Sequence, residues 1–203
     1  MIKKVVLTAF ALISFLAIDA QAAISEDVIK ESIVKHSMEM GVDPALALSI
    51  AKKESGFKHE LKSPYGAVGV FQVLPSTAKK IGYNPYYLNE NIKAGLTYYK
   101  MMYKMFGSTE LALAAYNAGP GNVKKYGGTI PPFKETKRFV NVIMQDYHNQ
   151  KINPDPVITK YSKKASIAED KQVEISNTVN KPDLPDLKEI AEPKQNETTM
   201  EVL

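Results

Sequence analysis

No cysteine occurs among the 203 residues, which removes disulfides, thiol chemistry and any cysteine-borne lipid anchor from consideration. A chain of this kind must be held together by its core alone. Histidine is scarce: His36, His59 and His148 lie far apart, so no metal site is expected. His59-Glu60 begins like a zinc-protease helix, but Ser63 stands where the second histidine belongs. There is no Gly-x-Ser-x-Gly elbow, no phosphate-cradling glycine loop and no internal repeat, and no cofactor is expected. Basic runs interleaved with aromatics are also missing, so the formal charge of +4 does not argue for nucleic-acid binding. That charge is uneven, because residues 151 to 203 hold 8 Lys against 10 acidic residues and the excess lies upstream. A mild basic excess of this kind suits an anionic polymer and is also common in soluble domains.

A single long apolar run is present, from Val5 to Ile18, preceded by Lys3 and Lys4 and followed by small residues at Ala20, Ala22 and Ala23. This is the pattern of a secretory signal peptide over residues 1–22, with cleavage expected after Ala22 and Ala20 as the competing site. The run is short for a membrane span, and an uncleaved N-terminal anchor is the alternative. No stable membrane insertion is expected after cleavage.

Beyond the leader the periodicity is helical and no convincing alternating strand occurs. Ser25 is placed to cap a helix with Glu26 and Asp27 in its first turn, and Ile29, Ile33, His36 and Met40 repeat at helical spacing before Gly41. Asp43-Pro44 opens a second helix that Gly56 ends. A turn-rich passage follows, with a short helix near 76–81. Asn89 opens a longer helix whose apolar face is Ile92, Leu96, Tyr99, Tyr103 and Phe106. Further helices are expected over "TELALAAYN", briefly over "NVKKYGG", and through "PPFKETKRFVNVIMQDYHNQ" with Phe139, Ile143 and Tyr147 inward. These make one globular domain over residues 23–150. From 151 to 203 five prolines interrupt a polar stretch without glycine, which predicts a flexible tail with room for a protein partner.

Within this frame one residue stands out. Glu54 follows Ala47, Ile50 and Ala51 at spacings of seven, four and three, so a glutamate shares the apolar face of the second helix, near its end. Burial and the negative helix terminus both disfavour a charged carboxylate there, as a general acid needs. Taken alone, a glutamate near a helix end is most often a solvated side chain. Two other glycine-bearing segments bear on it: "YGAVGVFQ", with Gln72, and "AAYNAGPG", with Tyr116 and Asn117 at a helix end.

Together "IAKKESGF", "SPYGAVGVFQVLPSTA" and "LALAAYNAGPGNVKKY" resemble, in order, the three signature segments of the soluble lytic transglycosylase (SLT) catalytic domain. The resemblance runs from about Ser25 to His148. It implies a mainly α, lysozyme-like domain with a cleft. It makes Glu54 the sole catalytic acid and base, and Ser55, Phe71, Gln72, Tyr116 and Asn117 substrate-binding. The later "KETKRFV" resembles the family's Glu-Thr-Arg segment and adds Glu135 as a saccharide contact. Val70-Phe71 stand where the family usually shows Leu-Met, Lys137 where it shows Arg, and Phe139 for a frequent Tyr; Phe71 is therefore expected to reshape the cleft wall.

The implied activity is non-hydrolytic cleavage of peptidoglycan glycan strands between N-acetylmuramic acid and N-acetylglucosamine, leaving 1,6-anhydromuramic acid ends. The implied location is the periplasm, with secretion as the alternative. Two other readings stay open: a goose-type lysozyme-like hydrolase, and a wall-binding accessory module of an envelope-spanning secretion or pilus system.

Overall fold

Asp43 caps its helix as expected, accepting a hydrogen bond from Ala45 N at 2.9 Å, with Pro44 in the first turn. The computed structural model describes residues 24–164 and 166–167; the expected signal peptide and the chain from 168 onward lie outside them. Seven helices follow one another: α1 (Glu26–Glu39), α2 (Pro44–Ser55), α3 (Pro75–Lys80), α4 (Leu88–Phe106), α5 (Thr109–Ala118), α6 (Pro120–Lys125) and α7 (Lys134–Ile152). No strand is named among the described residues. Two isolated bridges, Lys62 with Val68 and Val68 with Val73, tie the long loop before α3.

The helix ends obey local chemistry. Ser25 Oγ accepts from Val28 N, while Gly56 and Gly107 end α2 and α4 in the left-handed conformation that a side chain disfavours. Every residue of α2 from Ala45 to Ala51 is buried, so this helix runs through the core with α1 and α7 against it. Burying a side chain such as Leu48 or Ile50 contributes roughly 1.5–3 kcal/mol. Helix α5 packs on α4, α6 and α7.

Two expectations need correction. Ile92, Leu96 and Tyr99 are buried and Phe106 packs against the core as the α4 pattern requires, but Tyr103 is exposed, because Met102, three residues after Tyr99, takes the inward position in the last turns. The expected end of ordered chain at 150 falls inside α7, and the folded unit extends to Ser162. After α7, Asp155 Oδ1 accepts from Val157 N at 3.0 Å and residues 156–162 are helical, with Val157, Ile158 and Tyr161 against the core. Asp155-Pro156 thus repeats the helix start of Asp43-Pro44; Pro156 opens a helix where it had been expected to interrupt the chain. Lys30 pairs with Glu26 at 2.7 Å and Asp155 at 3.2 Å, and Lys160 Nζ with Glu31 at 2.5 Å. Of the second unit, Lys163–Leu203, the described residues 163–164 and 166–167 are helical.

Candidate active site

The apolar face of α2 carries Ala47, Ile50 and Ala51 into full burial, and Glu54 continues that face to the point where the helix meets a cleft. The cleft has a volume of about 540 Å³, and Glu54, Gln72, Tyr116, Asn117 and Glu135 all line it. Four chain segments therefore converge: the end of α2, the loop before α3, the end of α5 and the start of α7. A recess of about 260 Å³ adjoins, sharing Gln72, Tyr116 and Asn117.

Glu54 is half-buried, open to water only where the cleft reaches it. Burial pushes its carboxyl up to about 8; the Lys53 charge opposes this and Glu135 reinforces it. A carboxyl with that proton affinity is an acid still holding its proton at neutral pH. A larger hollow of about 650 Å³ elsewhere, floored by Leu46, Tyr99 and Tyr147, offers no such group. Its carboxylate, Asp43, is partly buried, but Lys151, Tyr147 and Ala45 N–H outweigh that burial and hold it below the ordinary range.

Around Glu54 the loop is held by hydrogen bonds rather than by secondary structure. Ser55 Oγ donates to the Val70 carbonyl at 2.8 Å, with the Ala51 carbonyl at 3.2 Å, which moors the loop to the end of α2. Asn91, fully buried in α4, accepts from Phe71 N at 2.9 Å and donates from Nδ2 to the carbonyls of Val68 at 2.9 Å and Pro85 at 3.0 Å. A Cβ on Gly69 would lie 2.3 Å from Asn91 Nδ2, so close contact requires glycine there. Gln72 holds a positive φ of 45°, and its Nε2 donates to the carbonyls of Gly69 at 2.8 Å and Leu61 at 3.1 Å. Its Oε1 is left to accept.

Two of the residues expected in the cleft do a different job. The Phe71 ring is fully buried against Gly95, where a Cβ would come within 2.4 Å of it, and so does not form the cleft wall. Its backbone matters instead: the Phe71 carbonyl accepts the Tyr116 hydroxyl at 2.7 Å. Ser55 is likewise buried and lies behind the cleft. Tyr116 stacks on Phe139 with ring centres 6.5 Å apart and tilts against Tyr98 at 5.2 Å. Burial, with Glu54 and Tyr98 nearby, raises its phenol well above the ordinary range, so it stays protonated. Asn117 accepts from the Thr136 hydroxyl at 2.8 Å, linking the ends of α5 and α7.

Asn91, Gly95 and Thr136 escaped the sequence reading. Asn91 and Gly95 are one turn apart in a helix that gains nothing from either residue's propensity, and that pairing was the available signal. Among the described residues no cluster of three or more His, Asp or Glu is arranged to hold a metal.

Fold and site together define a lysozyme-like helical domain with one proton-holding glutamate in its cleft. A family model described as the Transglycosylase SLT domain matches residues 31–139, and the chain belongs to that family. Soluble lytic murein transglycosylases of Salmonella typhimurium and of Escherichia coli K12 are each 34% identical, over 52% of this chain and 20% of their own length. A transglycosylase of Enterobacteria phage PRD1 is 29% identical over 64% of this chain and 46% of its own. The chain thus spans about a fifth of the bacterial relatives. Among solved structures, an inactive glutamate-to-glutamine mutant of the lytic transglycosylase Slt from Pseudomonas aeruginosa aligns with a TM-score of 0.54 and 28% identity, covering 62% of this chain and 25% of that one. The 70 kDa soluble lytic transglycosylase of Escherichia coli aligns equally well, with 29% identity over 62% of this chain and 25% of its own.

Proposed function

We propose that this protein is a peptidoglycan lytic transglycosylase in which Glu54 acts first as acid and then as base. The observation that carries the reading is the half-buried carboxyl in the cleft, pushed up to about 8 by its surroundings. A glycosidic oxygen leaves only if it is protonated as its bond to carbon breaks. Glu54 gives its proton to the oxygen joining N-acetylmuramic acid to N-acetylglucosamine, and the C1–O bond breaks. The acetamido group of the muramic acid stabilises the positive centre at C1. Glu54, now a carboxylate, removes the proton from the same sugar's 6-hydroxyl, and O6 closes on C1. The product is a 1,6-anhydro ring, the acid is regenerated and no water is consumed.

The surroundings of Glu54 support roles for its neighbours. Tyr116 commits its hydroxyl to the Phe71 carbonyl, so it serves as a fixed wall that keeps water from Glu54, not as a proton donor. Gln72, with Nε2 engaged by backbone, offers Oε1 to an acetamido N–H. Asn117 retains its amide donors for hydroxyl or carbonyl groups of the glycan.

The reading includes export by a cleavable leader over residues 1–22 and a periplasmic location, or release outside the cell, with the tail free to engage a protein partner. Among the described residues no helix is long and apolar enough to cross a membrane. One observation favours a second reading: Glu135 lines the same cleft as Glu54, which gives a hydrolase the second carboxylate it needs to activate water.

Digestion of purified peptidoglycan by the full chain, beside the Glu54→Gln chain, separates these by mass spectrometry. Fragments ending in 1,6-anhydromuramic acid, absent from the control, are the expected result. Reducing ends would transfer the reading to hydrolysis with Glu135 as base, and no cleavage at all would favour a wall-binding accessory role.

A further inference from the structure

The segment from Ser63 to Ala67 is a small closed loop. Ser63 N donates to the Ala67 carbonyl at 2.9 Å, Gly66 N to the Ser63 carbonyl at 2.9 Å, and Ala67 N to Ser63 Oγ at 3.0 Å. Pro64 restricts the second position, and Gly66 takes a φ of 83° that a side chain disfavours. Five residues are thus held in one shape without any contribution from the Tyr65 ring. That ring is 90% exposed, yet it lines the same cleft as Glu54. A rigid mount with an uncovered aromatic at its tip is suited to holding a ligand at small entropic cost.

The chemistry of the ring narrows the ligand. A pyranose in chair form presents a face of C–H bonds, apolar and slightly positive, that matches the negative face of an aromatic ring, while its hydroxyls stay in water. A second aromatic in the cleft, Phe133, comes from a separate segment and is backed edge-on by Tyr126 at 5.6 Å. Two rings on independent supports, both bordering a cleft with few charges beyond Glu54 and Glu135, fit a chain of sugar rings better than a single small metabolite.

We propose that Tyr65 is a specificity-determining residue of this domain, stacking on an N-acetylhexosamine ring away from the reacting bond and so favouring longer glycan strands over short ones. The inference rests on the glycan-cleaving reading of the same cleft. It adds a determinant of strand length that the acid itself does not supply.

The test uses the full chain carrying Glu54→Gln, so that binding is measured without turnover, and soluble N-acetylglucosamine oligomers of three and six sugars, titrated calorimetrically. Adding Tyr65→Ala is expected to weaken hexamer binding about tenfold and trimer binding less, while Tyr65→Phe retains the affinity of the parent. In the active chain Tyr65→Ala is expected to raise KM on peptidoglycan strands with kcat changed by less than about twofold, because stacking on a sugar away from the reacting bond holds substrate and transition state alike. Equal hexamer affinity with Ala and Tyr at position 65 overturns the proposal, as does failure of the parent to bind the hexamer. If the active chain releases no fragments but Tyr65→Ala still loses hexamer affinity, the stacking role stands and the transglycosylase reading is what fails. At 90% exposure the ring supports nothing beneath it, so the alanine chain should fold normally.

Discussion

Replacing Glu54 by Gln should make the protein more stable, and increasingly so as pH rises. In the folded chain the carboxyl holds its proton up to about pH 8, against 4.5 as its ordinary value. Between those limits the folded state binds a proton that the unfolded state has released, so the free energy of unfolding falls as pH rises through the window. At about 1.4 kcal/mol per pH unit the full displacement sets a ceiling of about 5 kcal/mol. Water reaches Glu54 from the cleft, so roughly 2 kcal/mol is the more realistic size. A glutamine has the same shape and no proton to lose. Urea unfolding of both chains followed by circular dichroism should give free energies of unfolding that nearly coincide at about pH 5 and separate by about 2 kcal/mol at about pH 9, with the Glu54→Gln chain the more stable. Comparing the two chains at each pH cancels the titration of groups that do not interact with Glu54. A difference that stays flat with pH, or a less stable Glu54→Gln chain at high pH, would mean that the charged carboxylate is comfortable where it sits. Glu54 would then be unable to serve as a neutral-pH acid.

Activity should decline as pH rises through about 8, where the acid loses its proton, and a rate that keeps climbing past that point contradicts the assignment. Tyr116→Phe removes the bond to the Phe71 carbonyl and should cost about 1–2 kcal/mol in urea unfolding, with slower release of peptidoglycan fragments; unchanged turnover would remove Tyr116 from the site's support. Gly95→Ala drives a methyl into the Phe71 ring and should destabilise by about 1–3 kcal/mol, read as a lower unfolding midpoint, whereas a neutral effect would show that Phe71 can move freely. Gln72→Gly relieves a backbone held at φ 45° but removes the cleft amide, so stability should hold or rise while turnover drops; loss of both would mean that the side-chain bonds to Leu61 and Gly69 outweigh the strain.

The helices were legible because their signals are local. Ser25, Asp43, Pro44 and Gly56 act within a turn of where they stand, and the spacing from Ala47 to Glu54 identified a carboxyl on a buried face before any contact was known. The loop that completes the site was harder. Its shape depends on Asn91, some twenty residues away in sequence, and nothing in "GVFQ" announces that a distant amide binds the Val68 carbonyl just before it and the Phe71 N–H within it. Phe71 was misplaced for the same reason. The family resemblance, with Val70-Phe71 in the usual Leu-Met place, puts Phe71 in the cleft wall, whereas the gap above Gly95, which takes the ring inward, exists only once α4 has docked. At the far end, a polar composition hid Val157, Ile158 and Tyr161, three apolar residues at helical spacing that suffice to dock one short segment.

That last segment closes the domain on itself. Residues 155–160 reach back to Lys30 and Glu31, so the exit of the folded unit lies beside its entrance, and neither Asp155 nor Lys160 borders the cleft. A unit built this way behaves as a cassette. It can be spliced into a longer polypeptide, or extended from either end, without rerouting the chain across the working face, which fits a family whose members reach several times this length.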